Sequence, residues 1–151
     1  MSTHSIKTIS EKSEIVDAVT NSEVKTSPRG KVVVYWITTA LLAFVEGSGG
    51  IGELTHQWGT LDTVKIVEYP VYFLTILGIW KVLGTIAILV PRFPRLKEWA
   101  YAGIFFGMTG AAASHAFVGD YGAYAYHIWS TLGLAILALV SWALRPKSRR
   151  L

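Results

Sequence analysis

Read for apolar and polar positions, the chain alternates long apolar runs with short polar breaks, and that rhythm predicts helices built for lipid. The first run extends from Val32 to Val45 and is followed by Glu46 and the glycine-rich segment Gly47 to Gly52. It falls short of the ~20 residues a bilayer requires unless Glu46 is carried into the apolar layer, so the first span is placed at residues 32–51. The second, residues 70–90, opens on Pro70, which suits a first helical turn, and stops at Pro91-Arg92-Phe93-Pro94-Arg95. The third, residues 99–118, and the fourth, residues 123–144, are each interrupted by a single ionisable residue, His115 and His127. The expected fold class is therefore all-α: a four-helix transmembrane bundle over residues 31–145.

Basic residues orient these spans, because short Lys- and Arg-bearing segments stay on the cytoplasmic side. Arg29 and Lys31 precede the first span, Arg92, Arg95 and Lys97 separate the second and third, and Arg145, Lys147, Arg149 and Arg150 follow the fourth. The remaining two connections hold only Lys65. Both termini are thus expected to be cytoplasmic, in a multi-pass protein of the inner (cytoplasmic) membrane. Residues 1–30 lack aromatics and read as a disordered cytoplasmic tail, not a secretory signal, and residues 146–151 as a short basic cytoplasmic tail. Trp36, Trp58, Trp99 and Trp142 fall near the expected interfaces, whereas Trp80 and Trp129 lie deeper and are expected to pack.

Composition agrees. Only 16% of residues are charged, against roughly 25% in soluble domains, and the surplus cations flank apolar runs, so nucleic acid is not expected as a partner. The absence of cysteine excludes disulfides, thiolate metal sites and thiol redox chemistry by this chain alone. A redox role would need a bound cofactor or a partner. No nucleophile elbow, Walker loop or dinucleotide fingerprint is present.

Helix association in lipid depends on small residues, and the third span has Gly103, Gly107 and Ala111 at four-residue spacing, with His115 continuing the stripe. Gly78, Gly84 and Thr85 likewise put Lys81 on the small face of span two. Lys81 lies ~16 Å along its helix from Pro70, near mid-bilayer, where an unpaired charge costs ~2.5–3.5 kcal/mol. By the same rise, Glu46 lies ~22 Å from Lys31, His115 ~24 Å from Trp99, and His127 ~6 Å from its span's start, which puts these three in the outer third. Glu46, Lys81, His115 and His127 thus form a candidate intramembrane polar site. Such groups could exchange protons, or hydrogen-bond a quinone-like ligand beside Trp80, Phe105, Phe106 and Trp129, with Tyr124 and Tyr126 at the mouth. Alternatively, a Glu46–Lys81 pair only fixes helix register and His127 is solvated. Shared depth does not establish a ligand set, so no metal site is expected.

The segments Tyr69-Pro70-Val71-Tyr72-Phe73-Leu74, Leu77 to Gly84, Leu89 to Ala100 and Gly110-Ala111-Ala112-Ala113-Ser114-His115 resemble the DoxX-like family. The resemblance covers roughly residues 32–144. It implies a four-helix integral membrane protein and, through the wider DoxX and DoxD grouping, which includes a subunit of a thiosulfate:quinone oxidoreductase, a link to membrane redox or quinone metabolism through a partner. It implies no agreed catalytic residues, so whether the chain is an enzyme stays open. Glu68 stands where the resemblance leads one to expect glycine before Tyr69-Pro70. The alternatives are a non-enzymatic membrane subunit or assembly factor whose small stripe on span three docks a partner, and a small proton-linked transporter or proton-conducting homo-oligomer.

Overall fold

A computed structural model describes Lys12, residues 28–122 and residues 125–150. The expected N-terminal tail lies almost wholly outside the described residues, as do Tyr124 and the expected first residues of span four. Over residues 28–150 the described chain forms five α-helices and one 3-10 turn, with no strand. The helices are α1 (Pro28–Thr55), α2 (Thr60–Ile66), α3 (Tyr72–Leu89), α4 (Pro94–Phe117) and α5 (Tyr126–Ala143), followed by the turn Lys147–Arg149.

Three of them, α1 from Arg29, α3 and α5, are long and apolar enough to cross a membrane by length and composition. The 24-residue α4 has the length, but Gly, Thr, Ser and His dilute its apolar content and it is not among the three. Helix α1 corrects the first sequence boundary. The glycine run does not end it at residue 51, and the helix continues through Glu53 to Thr55. Gln57 N–H and Thr60 Oγ1 then donate to the Gly52 carbonyl at 2.9 and 3.3 Å, supplying partners near a helix end that the ladder cannot. The reversal uses left-handed backbone at His56, Trp58 and Gly59. The connection to α3 also holds the unforeseen helix α2, with Asp62 in its first turn and Lys65 in its last, both favourable to the helix dipole.

The four long helices share one apolar core: Leu42 and Ala43 from α1, Ile88 from α3, Tyr101, Ile104 and Met108 from α4, and Ala135 and Ala138 from α5. Helix α4 buries Lys97, Tyr101, Ile104, Met108, Ala112 and His115, a three-and-four spacing that defines one face. This corrects the small-residue reading. Gly103 and Gly107 lie on the exposed side of α4, where an added Cβ would meet no atom of the described residues within 4 Å, so they close no helix contact among those residues. The expected packing of Trp80 and Trp129 is corrected too, as both rings are exposed. A buried polar junction adds direction to the core: Ser141 Oγ lies 2.7 Å from Thr39 Oγ1 and 2.8 Å from Tyr101 OH, tying α1, α4 and α5 together. Each such bond contributes about 1 kcal/mol.

At the end of the helices marked by Pro94 and Leu144, cations serve the backbone. The proline-bounded break that stops α3 leaves its last carbonyls without ladder donors, and Lys97 fills that role. Its Nζ donates to the carbonyls of Ala87 and Ile88 at 3.0 Å and also to that of Val90. Burial, with Arg149 and Arg145 nearby, pushes the Lys97 ammonium down to about 8. Arg145 donates to Glu98 Oε1 and Trp142 Nε1 to Glu98 Oε2, both at 2.6 Å. Burial opposes the Glu98 charge, but these bonds outweigh it and hold the carboxyl below its usual range. The basic C-terminal segment folds back: Arg150 donates to the carbonyls of Arg145 and Ala143 at 2.6 and 2.7 Å, and Arg149 lies over Trp36.

Candidate functional site

Of the four candidate polar residues, Glu46 and Lys81 come together between α1 and α3, whereas His115 and His127 come together on Asp120 at the other end of α4. The single expected convergence is therefore two sites, each completed by an acid that sequence reading left out.

The first site begins with glycine. Glu46, Gly47, Gly50, Glu53 and Leu54 recur at helical spacing and share one face of α1. A Cβ on Gly50 would stand 2.9 Å from Lys81 Cβ and 3.1 Å from the Gly78 carbonyl, and one on Gly78 would stand 2.7 Å from the Gly50 carbonyl. Only glycine at both positions lets the two backbones approach so closely. The glycine contact that carries helix packing thus lies between α1 and α3, in the run that resembled a helix end.

That approach presents Lys81 to the acids of α1. Lys81 Nζ donates to Glu53 Oε1 at 2.5 Å, and both side chains are largely buried. One turn earlier on α1 and one turn later on α3, Gly47 faces the Thr85 side chain. Glu46 is only 2% exposed, lies within electrostatic range of both Lys81 and Glu53, and has no hydrogen-bond partner for either carboxylate oxygen among the described residues. Glu53 Oε2 and Thr85 Oγ1 are likewise buried and unpartnered among those residues. Two carboxylates thus face one ammonium in an apolar setting, so the site needs a further proton or hydrogen-bond donor. Glu53 was missed because it follows the glycine run; its spacing of seven from Glu46, two helical turns, was the available signal.

The second site caps the helix pair α4 and α5. His115 Nδ1 lies 2.7 Å and His127 Nδ1 3.1 Å from the same oxygen, Asp120 Oδ2, and the imidazoles stack with centroids 4.6 Å apart. Asp120 and His115 are buried. Gly119, at φ 74°, turns the chain out of α4, Asp120 N–H donates to the His115 carbonyl at 3.1 Å, and Tyr121 OH donates to the Ala116 carbonyl at 2.9 Å. Burial opposes the Asp120 charge, but the bonds from His127 and His115 outweigh it and hold the carboxyl below the usual range. Asp120 lies in the short connection after α4, where no motif or helical period singles it out.

The aromatic lining expected for a ligand does not assemble in one place. Phe105 and Phe106 line a shallow groove with Trp99 and Trp142 between α4 and α5, away from the exposed Trp80 and Trp129.

Three helices long and apolar enough to cross a membrane, with ionisable groups buried among the helices, define the class of helical membrane proteins. The DoxX-like family model matches residues 37–143, and the chain belongs to that family. No curated protein and no solved structure matches it.

Proposed function

We propose that this is a multi-pass inner-membrane protein, a four-helix bundle with both ends cytoplasmic, that serves membrane redox metabolism by holding a quinone-type ligand at Glu46 and Lys81 and works with a redox partner. The observation that carries this reading is the Glu46 carboxylate, buried with both oxygens unpartnered among the described residues, beside the Lys81–Glu53 pair. A quinol hydroxyl supplies the donor that Glu46 lacks, and the Lys81 ammonium can donate to a quinone carbonyl. Oxidation of a quinol releases two electrons and two protons: Glu46 is placed to accept one proton, and the second proton and both electrons pass to the redox partner, since a chain without cysteine offers no thiol to take the electrons. The basic end, rich in Lys97, Arg145 and Arg149, supports its assignment to the cytoplasmic side.

The test is extraction of the full chain in native lipid and mass spectrometry of what accompanies it. A co-extracted quinone that disappears in Lys81→Met supports the reading. Folded protein that carries no quinone and takes up none from quinone-containing vesicles refutes it.

A second reading rests on a different observation, the exposed glycine face of α4 at Gly103 and Gly107. It makes the protein a non-enzymatic subunit or assembly factor that docks a partner helix there. Loss of a co-purifying protein on Gly107→Leu, with Lys81→Met harmless, would favour it.

A further inference from the structure

The geometry points to a divalent metal site formed by His115, Asp120 and His127, of the kind that takes zinc or a neighbouring first-row transition metal. The three side chains offer two imidazole nitrogens and one carboxylate oxygen, all within 4.8 Å of one another. This donor set suits zinc and iron and is unlike the all-oxygen sets of calcium or magnesium. Metal–ligand bonds of ~2.0–2.2 Å in a tetrahedral shell separate neighbouring donors by roughly 3.3–3.5 Å. To admit an ion, the 3.1 Å separation of His127 Nδ1 from Asp120 Oδ2 must open by a few tenths of an ångström and the 2.7 Å separation of His115 Nδ1 by roughly 0.6–0.8 Å.

Position and burial support the same assignment. The ligands come from the last turn of α4, the turn after it and the first turn of α5, so one ion would staple the closure of the helix pair. His115 and Asp120 are buried, and the loop between them is held by the backbone bonds at Asp120 and Gly119. A cleft of about 460 Å³ lined by Gly59, Asp62, Lys65, Tyr126 and His127 gives a route to the site and room for a further ligand. Two stacked imidazoles aimed at one buried carboxylate oxygen match a three-ligand centre with an open position.

The full chain in nanodiscs, stripped with a chelator and titrated with zinc, should bind one ion per chain. His115→Ala, Asp120→Asn and His127→Gln should each weaken binding at least ~10-fold. His127→Gln keeps a hydrogen-bond donor toward Asp120 and so separates loss of metal from loss of fold. Glu46→Gln should bind zinc like the parent chain, which keeps this outcome independent of the quinone reading. If the substituted proteins do not fold, zinc-edge X-ray absorption of the parent chain decides: scattering from two imidazoles supports the site, and its absence overturns it. No binding at tens of micromolar zinc, or unchanged binding in folded His115→Ala and His127→Gln, also overturns it.

Discussion

Two lysines, Lys97 buried and Lys81 partly buried, live in opposite surroundings. Lys97 sits among backbone carbonyls at the end of α3 and completes a helix terminus left open by the proline break. Lys81 sits between helices and meets two glutamates, only one of which it satisfies. At Lys97 the cation is fitted to acceptors that folding itself exposes, so its role is complete within the chain. At Lys81 the acceptors outnumber the donors, and the residue left over, Glu46, is among the most buried polar groups of the molecule. A polar group that folding does not satisfy is the better marker of a ligand than a polar group that is merely buried.

The contrast can be broken at its base. Gly78→Val would drive a side chain into the Gly50 carbonyl and Leu54, and the clash with backbone leaves no room for repacking. It should cost about 3 kcal/mol or more, seen as a large fall in unfolding temperature, and should abolish the Lys81 site with it.

Lys97→Met should cost about 2 kcal/mol in unfolding free energy by stranding the α3 carbonyls. Its pH dependence is more specific. The Lys97 amine titrates near 8 when folded against 10.5 unfolded, so between these values the unfolded chain holds the extra proton. Stability from this residue therefore rises as pH climbs from about 8 toward 10.5 and is lowest below 8. The stability gap between the parent chain and Lys97→Met should widen over that window. A constant gap would show that Lys97 is charged throughout.

Glu68 sharpens the comparison from outside both sites. Its φ of 58° is left-handed, the backbone that glycine tolerates, at the position where resemblance to the family calls for glycine. Glu68→Gly should raise stability by about 0.5–1 kcal/mol in chemical unfolding and leave ligand binding unchanged.

The apolar runs, the proline break and the inward direction of Lys81 were legible because each depends on local chemistry or helical period, whereas His115 is buried on a face of α4 other than the glycine stripe it was read from. Gly103 and Gly107 misled because a small-residue stripe does not say whether its partner lies in the same chain. Gly50 misled in the other direction: glycine weakens an isolated helix, yet here it lets α1 and α3 touch, which only the packed structure reveals. Trp80 and Trp129 show the same limit, since an aromatic in an apolar run fits lipid and helix neighbours equally. Asp120 joined two histidines already suspected, but it lies between helices α4 and α5, where no helical period relates it to either, and its approach to both needs the turn at Gly119.

The most direct test pairs stability with affinity in Glu46→Gln, which keeps the shape of the side chain and removes its charge. Unfolding free energy should stay within about 0.5 kcal/mol of the parent or rise, because no protein partner among the described residues is lost. Affinity for a quinone analogue in nanodiscs should fall at least ~10-fold, about 1.4 kcal/mol. A clear loss of stability with analogue binding unchanged would make Glu46 a structural residue and contradict the account.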